Sequence, residues 1–308
     1  MVPPAVLLIV MLFYAVVGLA LAACIAVWTI AITRWRRRLP VLPYQPRRPV
    51  PWRGLDVGVI VLVYVLTPPL ISHAAHRWLG EQPRAAAAAA APAHDAKKTE
   101  HPLARVLQAR PGVWVVLVCV LLAVVLAPLT EELVFRLLIQ GWLERLERQL
   151  RRRMVLFRLT AGFLPVTAVA LLFAAMHYRE AEELPVTAII FGLIITAIGS
   201  AVTVAALIGW LKFVAGATLA DFGIVRGKLW ADVKLGLIAF LAVMPLVQAV
   251  GITAKLLLPK DVVIDPIAIG VLALALGTLY YRTHRILPGI VLHVAFNTMG
   301  VVTALALP

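Results

Sequence analysis

Long apolar runs separated by short, mostly basic intervals set the pattern of this chain. The first run covers about Val6–Ile32 and is followed by Arg34, Arg36, Arg37 and Arg38. The second, about Leu55–Ser72, is predicted to end near Thr67-Pro68-Pro69, since proline removes a helical N–H and crowds the preceding turn. Further runs follow at about Val113–Leu143, Thr160–His177, Pro185–Leu211, Leu235–Leu258, Ile267–Tyr281 and Ile286–Leu307. Most reach or approach the roughly 20 residues that carry a helix across a bilayer. The intervals read differently from one another. Leu39–Arg53 is rich in Pro and Arg, Glu144–Arg158 reads as an arginine-dense loop, and Tyr178–Glu183 is an acidic turn. Lys212–Lys234 is mixed and amphipathic. With the N-terminus outside, every basic loop falls inside and the acidic turn outside, as the positive-inside rule requires. The prediction is an all-α polytopic membrane protein of about eight transmembrane helices.

Composition agrees. The chain has 308 residues, 62% of them hydrophobic and 14% charged, with a mean hydropathy of +0.96. The net charge of +14 would suggest nucleic acid in a soluble protein. Here it lies in the loops beside apolar runs, so the expected partner is the lipid bilayer and not nucleic acid. Cys24 and Cys119 sit within apolar runs and predict neither a disulfide nor a metal pair. Glu81–Arg110 is the clearly polar interval, and Ala85–Ala91 is an unbroken alanine tract within it. It reads as a low-complexity linker, dispensable and mobile from Glu81 to about Lys98. His73, His76, His94 and His101 in or beside it read as solvated side chains. The predicted division is therefore a two-helix membrane extension (1–75), the linker (76–112) and a core (113–308). The core carries extra helical material at about 185–262.

Charge inside an apolar run needs a reason, because each such group costs a few kcal/mol or more in hydrocarbon. The third run holds Pro128-Leu-Thr-Glu131-Glu132-Leu-Val-Phe-Arg136. Helical residues four apart share a face, which puts Arg136 over Glu132. Glu131 is rotated by about 100° and has no local partner. One carboxylate is neutralised; the other is free to act as a base. At about 1.5 Å per residue, Glu131 lies roughly 16 Å below an interface near Trp142. Two later runs carry more polar groups at helical spacing: Phe173-Ala-Ala-Met-His177 and His293-Val-Ala-Phe-Asn297. A lone buried histidine is as readily a structural hydrogen bond as a catalyst. Two histidines, an asparagine and a spare glutamate on three helices suffice to activate water and hold an oxyanion. Glu131, His177 and His293 could equally hold zinc, as Glu with two His does in hydrolytic zinc sites. An obligatory metal is not expected from ligands on three separated helices.

Glu131-Glu132-x-x-x-Arg136, Phe173-x-x-x-His177 and His293-x-x-x-Asn297, in that order, resemble the motifs of the CAAX prenyl protease and bacteriocin-processing family of intramembrane proteases. The stretch Leu279–His293 is similar to the family's approach to its last motif, and the resemblance covers roughly Val113–Leu307. It implies Glu131 as the base that activates water and His177 as a site partner. His293 and Asn297 would bind water or the developing oxyanion, with Glu132, Arg136 and Phe173 in support. It also implies an endopeptidase acting on a peptide or a membrane-associated protein. The Ala-, Arg- and Leu-rich composition points to a bacterial plasma membrane, where the prenylated substrate in the family's name is not expected. Two other functions use the same residues: a non-catalytic immunity-type or scaffold protein, and a transporter or proton relay. A scaffold tolerates Glu131→Gln; a protease or a relay does not.

Overall fold

The computed structural model of the protein describes residues 4–45, 49–79, 106, 112–155, 157, 160–178, 186–258 and 265–306. The interval predicted to be a dispensable linker lies outside the described residues. Among the described residues eight helices follow in order: α1 (Pro4–Arg36), α2 (Gly54–Leu79), α3 (Val113–Arg151), α4 (Phe163–Met176), α5 (Val186–Phe213), α6 (Leu229–Leu257), α7 (Asp265–Thr283) and α8 (Ile286–Ala306). Seven contain stretches long and apolar enough to cross a membrane, and α4 is a shorter apolar helix. The protein is an all-α polytopic membrane protein.

Three sequence expectations need correction. The Thr67-Pro68-Pro69 stretch does not end α2, which continues to Leu79 with both prolines inside it. Thr67 Oγ1 donates to the Val63 carbonyl at 2.6 Å. Such hydroxyl bonds, together with neighbouring helices, let transmembrane helices keep a proline. The arginine-dense interval after Leu143 is not a loop at its start, because α3 runs on to Arg151. Its charged side chains close on the helix itself: Arg151 bonds Glu147 at 2.6 Å, and Arg148 Nε donates to the Glu144 carbonyl. The third concerns α4, which ends at Met176 instead of carrying His177 within it. His177 caps the helix with φ −92° and ψ 0°, and the exposed Tyr178 follows.

α3 is the central rod, and it is not a regular α-helix. Two segments, Leu121–Leu126 and Glu132–Gln140, are wound wide. The Ala127 N–H bonds the Leu122 carbonyl and the Gly141 N–H the Arg136 carbonyl, each five residues back. Such turns recur at functional sites. Around α3 a buried core gathers Trp52, Phe135, Leu137, Leu138, Phe173, Leu207, Leu211 and Tyr280. α2 lies along α5, α7 along α4, and α6 along both α7 and α8.

Polar ties hold the basic end of the bundle. Arg145 Nη1 donates to the carbonyls of Val50, Pro51 and Trp52 at 2.8, 2.9 and 3.0 Å. The fully buried Trp52 donates from Nε1 to Leu138 O at 3.1 Å. Gln140 bonds Glu144 at 3.1 Å and the Gly277 carbonyl at 2.9 Å, and His284 Nδ1 lies 3.6 Å from Glu144. Arg285 pairs with the buried Asp232. The 218–230 segment docks on the same corner. Gly223 has φ +70° and its Cα faces the His284 carbonyl, where a Cβ would come within 2.6 Å. Replacing Trp52 by Phe keeps most of the packing and deletes the bond to Leu138, and is expected to cost about 1 kcal/mol of stability. Thermal unfolding of the purified variant checks it.

Candidate active site

The site is built on the second wide segment of α3 and on the middle of α8. Glu132 and Arg136 both have 0% side-chain exposure to within a per cent, with Arg136 Nε 3.7 Å from Glu132 Oε2. This is the four-apart pair that helical spacing predicts. Glu131 has a partner, supplied from the far end of the chain: His293 Nε2 lies 3.6 Å from Glu131 Oε2. The same imidazole meets Glu132, with Nδ1 3.1 Å from Oε1. One histidine therefore separates two adjacent carboxylates, each facing a different ring nitrogen. No local periodicity carries that signal, because the two residues are 161 positions apart.

Burial divides the cluster. Glu132, Arg136, Phe173 and His293 are buried, while Glu131, His177 and Asn297 are partly accessible. Phe173 is the packing hub. Its ring centroid stands 5.1 Å from that of Phe135, 4.5 Å from that of His177 and 5.9 Å from that of His293. The Arg136 guanidinium carbon lies 4.8 Å from its centre. A ring face over a desolvated guanidinium contributes attraction that water would otherwise supply. That contact matters because none of the three Arg136 nitrogens has a hydrogen bond within the described residues.

His177 joins the cluster through Phe173, not through a hydrogen bond to either glutamate or to His293. Its Nδ1 lies 2.7 Å from the Phe173 carbonyl. A carbonyl only accepts, so Nδ1 donates to it and Nε2 is left for other partners. Asn297 follows His293 by one turn of α8. Its Nδ2 donates to the Ala123 carbonyl at 2.7 Å, in the first wide segment of α3.

α8 reaches Glu132 because Gly289 has no side chain. A Cβ there would lie 2.9 Å from Glu132 Oε2. Gly289→Ala is expected to push the carboxylate off His293 and to cost about 1–3 kcal/mol, as overpacking does. Unfolding temperature and turnover of that variant should fall together.

The residues do not fit the zinc set of Glu131, His177 and His293. Among the described residues no three His, Cys, Asp or Glu side chains gather so as to hold a metal ion. The two carboxylates sit on opposite ring nitrogens of His293, and His177 is tied to a main-chain carbonyl. Turnover is expected to survive dialysis against a strong chelator; loss on chelation and recovery with zinc would contradict this.

Chemically, the cluster offers a partly accessible carboxylate beside an imidazole that a second, buried carboxylate orients. That arrangement can move a proton and stabilise a developing negative charge. The residues that sequence spacing did not single out are Gln140, Glu144, Asp232, His284 and Arg285, all buried. They are structural ties between α3, α6 and the α7–α8 corner. Gln140 and Glu144 continue the four-residue spacing of Glu132 and Arg136, a signal that could have marked them.

No curated protein and no solved structure matches the chain. The family model described as type II CAAX prenyl endopeptidase, Rce1-like, matches residues 113–299. That span contains Glu131, Glu132, Arg136, Phe173, His177, His293 and Asn297 and covers more than half of the chain. This integral membrane protein belongs to the type II CAAX prenyl endopeptidase family of intramembrane endopeptidases.

Proposed function

We propose that this protein hydrolyses a peptide bond in a membrane-associated peptide or protein, with Glu131 as the base that activates water. The observation carrying the proposal is the position of His293 between Glu131 and Glu132. Arg136 balances Glu132, and because a carboxylate only accepts, His293 donates from Nδ1 to Glu132 and from Nε2 towards Glu131. Nε2 is thereby a donor at the accessible side of the site.

Glu131 takes a proton from water as the hydroxyl oxygen attacks the scissile carbonyl. His293 Nε2–H and the Asn297 amide stabilise the oxyanion that forms, which is where such donors act most strongly. His177 holds the attacking water through Nε2. Glu131 then passes its proton to the departing amine. Glu132 and Arg136 keep the imidazole in place and do not exchange protons with substrate.

Residues 113–308 form the core that carries this chemistry, with the first two helices as an extension packed against it. The membrane is the bacterial plasma membrane. The substrate is the terminal segment of a membrane-bound chain entering between helices, and prenylation is not required. In the test, purified protein in lipid nanodiscs is given two peptides of one sequence, one with an isoprenyl group and one with a plain apolar anchor. Mass spectrometry should find internal cleavage of both. Cleavage of neither, under conditions where the protein stays folded, would contradict the proposal.

A further inference from the structure

The bond from Asn297 to the Ala123 carbonyl exists because that carbonyl has been left open. In a regular α-helix it would accept from the N–H of Ala127, four residues on. Ala127 instead donates to Leu122, five residues back, as the wide winding of Leu121–Leu126 requires. In that register the donor due to Ala123 belongs to position 128. Position 128 is proline, which has no N–H. A carbonyl left bare at this depth has little water to turn to and needs another donor. Asn297 Nδ2 supplies it at 2.7 Å.

We propose that Pro128 is a positioning residue for Asn297. By withholding one main-chain N–H it creates an acceptor that fixes the plane of the Asn297 amide. One amide hydrogen is held by α3, so the other hydrogen and Oδ1 keep one direction each. α8 is thereby tied to α3 at Ala123 through Asn297 and at Glu132 through His293. Pro128 lies in the chain between those two ties. Its effect on turnover rests on the role given to Asn297 above; the hydrogen-bond exchange itself does not.

Pro128→Ala restores an N–H that can close the Ala123 carbonyl and release Asn297. Thermal unfolding is measured on the full chain for the wild type, Pro128→Ala, Asn297→Ala and the double variant. Alongside it, kcat and KM are measured for the wild type and Pro128→Ala on an anchored peptide. Asn297→Ala is expected to lower the unfolding temperature by about 2 °C in the wild type, as one net hydrogen bond would. In the Pro128→Ala background it should have less than half that effect. Pro128→Ala should lose about 10-fold in kcat with KM nearly unchanged, as misorientation of one donor would give. Equal losses from Asn297→Ala in both backgrounds overturn the linkage, whether or not the protein cleaves peptides. Coupled stabilities with an unchanged kcat overturn the positioning role. Coupled stabilities in a protein that cleaves nothing leave the linkage standing and count against the protease reading alone. Should Pro128→Ala fail to fold, side-chain NMR of 15N-asparagine wild-type protein decides. A slowly exchanging Asn297 amide supports the bond, and one exchanging like an exposed asparagine overturns it.

Discussion

Glu131→Gln is expected to fold like the wild type and to lose about 10² or more in turnover, the usual contribution of a positioned base. Glutamine keeps the shape of the side chain and can still contact the His293 imidazole, so little packing changes. It cannot accept a proton from water. Glu131 is the carboxylate suited to this experiment, because its side chain keeps 19% exposure whereas that of Glu132 keeps 1%. Turnover and unfolding temperature are to be measured together on the same preparation. A Glu131→Gln protein with near-normal cleavage, beside a folded but inactive Glu132→Gln, would exchange the roles of the two glutamates.

The second large effect is on folding. Glu132→Ala and Arg136→Ala each leave an ionised partner buried, a change expected to cost about 3–5 kcal/mol. Arg136 would lose the carboxylate and keep only the Phe173 face, with all of its nitrogens out of reach of water. Glu132→Ala would also unseat His293, whose Nδ1 has the Glu132 carboxylate as its partner. Both variants should give low yields of folded protein and a lowered unfolding temperature in whatever survives purification. A variant that folds at wild-type yield and stability yet does not turn over would show that the pair acts in the reaction and not in the fold.

The contrast between these two predictions follows what the sequence could and could not reveal. Glu132 and Arg136 pair within one helix, so four-residue spacing suffices to see them. The Glu131–His293 contact depends on how α8 lies across α3, and spacing holds no trace of that. The three motifs bring these residues to attention, but not that one imidazole stands between two carboxylates. The helices themselves were legible because apolar length is a strong signal in hydrocarbon. Their ends were not. Arg148 and Arg151 look like loop residues until Glu144 and Glu147 are seen to lie one turn before them and to take their bonds. Pro68 and Pro69 read as a stop because the rule comes from helices in water, whereas within a bundle the turn is kept. The wide turns of α3 have no periodicity of their own. The Asn297–Ala123 bond is the observation from which a consequence of Pro128 there is inferred.

The most direct test of the central claim is cleavage of an anchored peptide in H₂¹⁸O, comparing wild type with Glu131→Gln at matched folded concentration. The expected result is ¹⁸O in the new carboxyl group of the wild-type product and no product above background from the variant. Equal yields of ¹⁸O-labelled product from both proteins would contradict the assignment of Glu131 as the base that activates water.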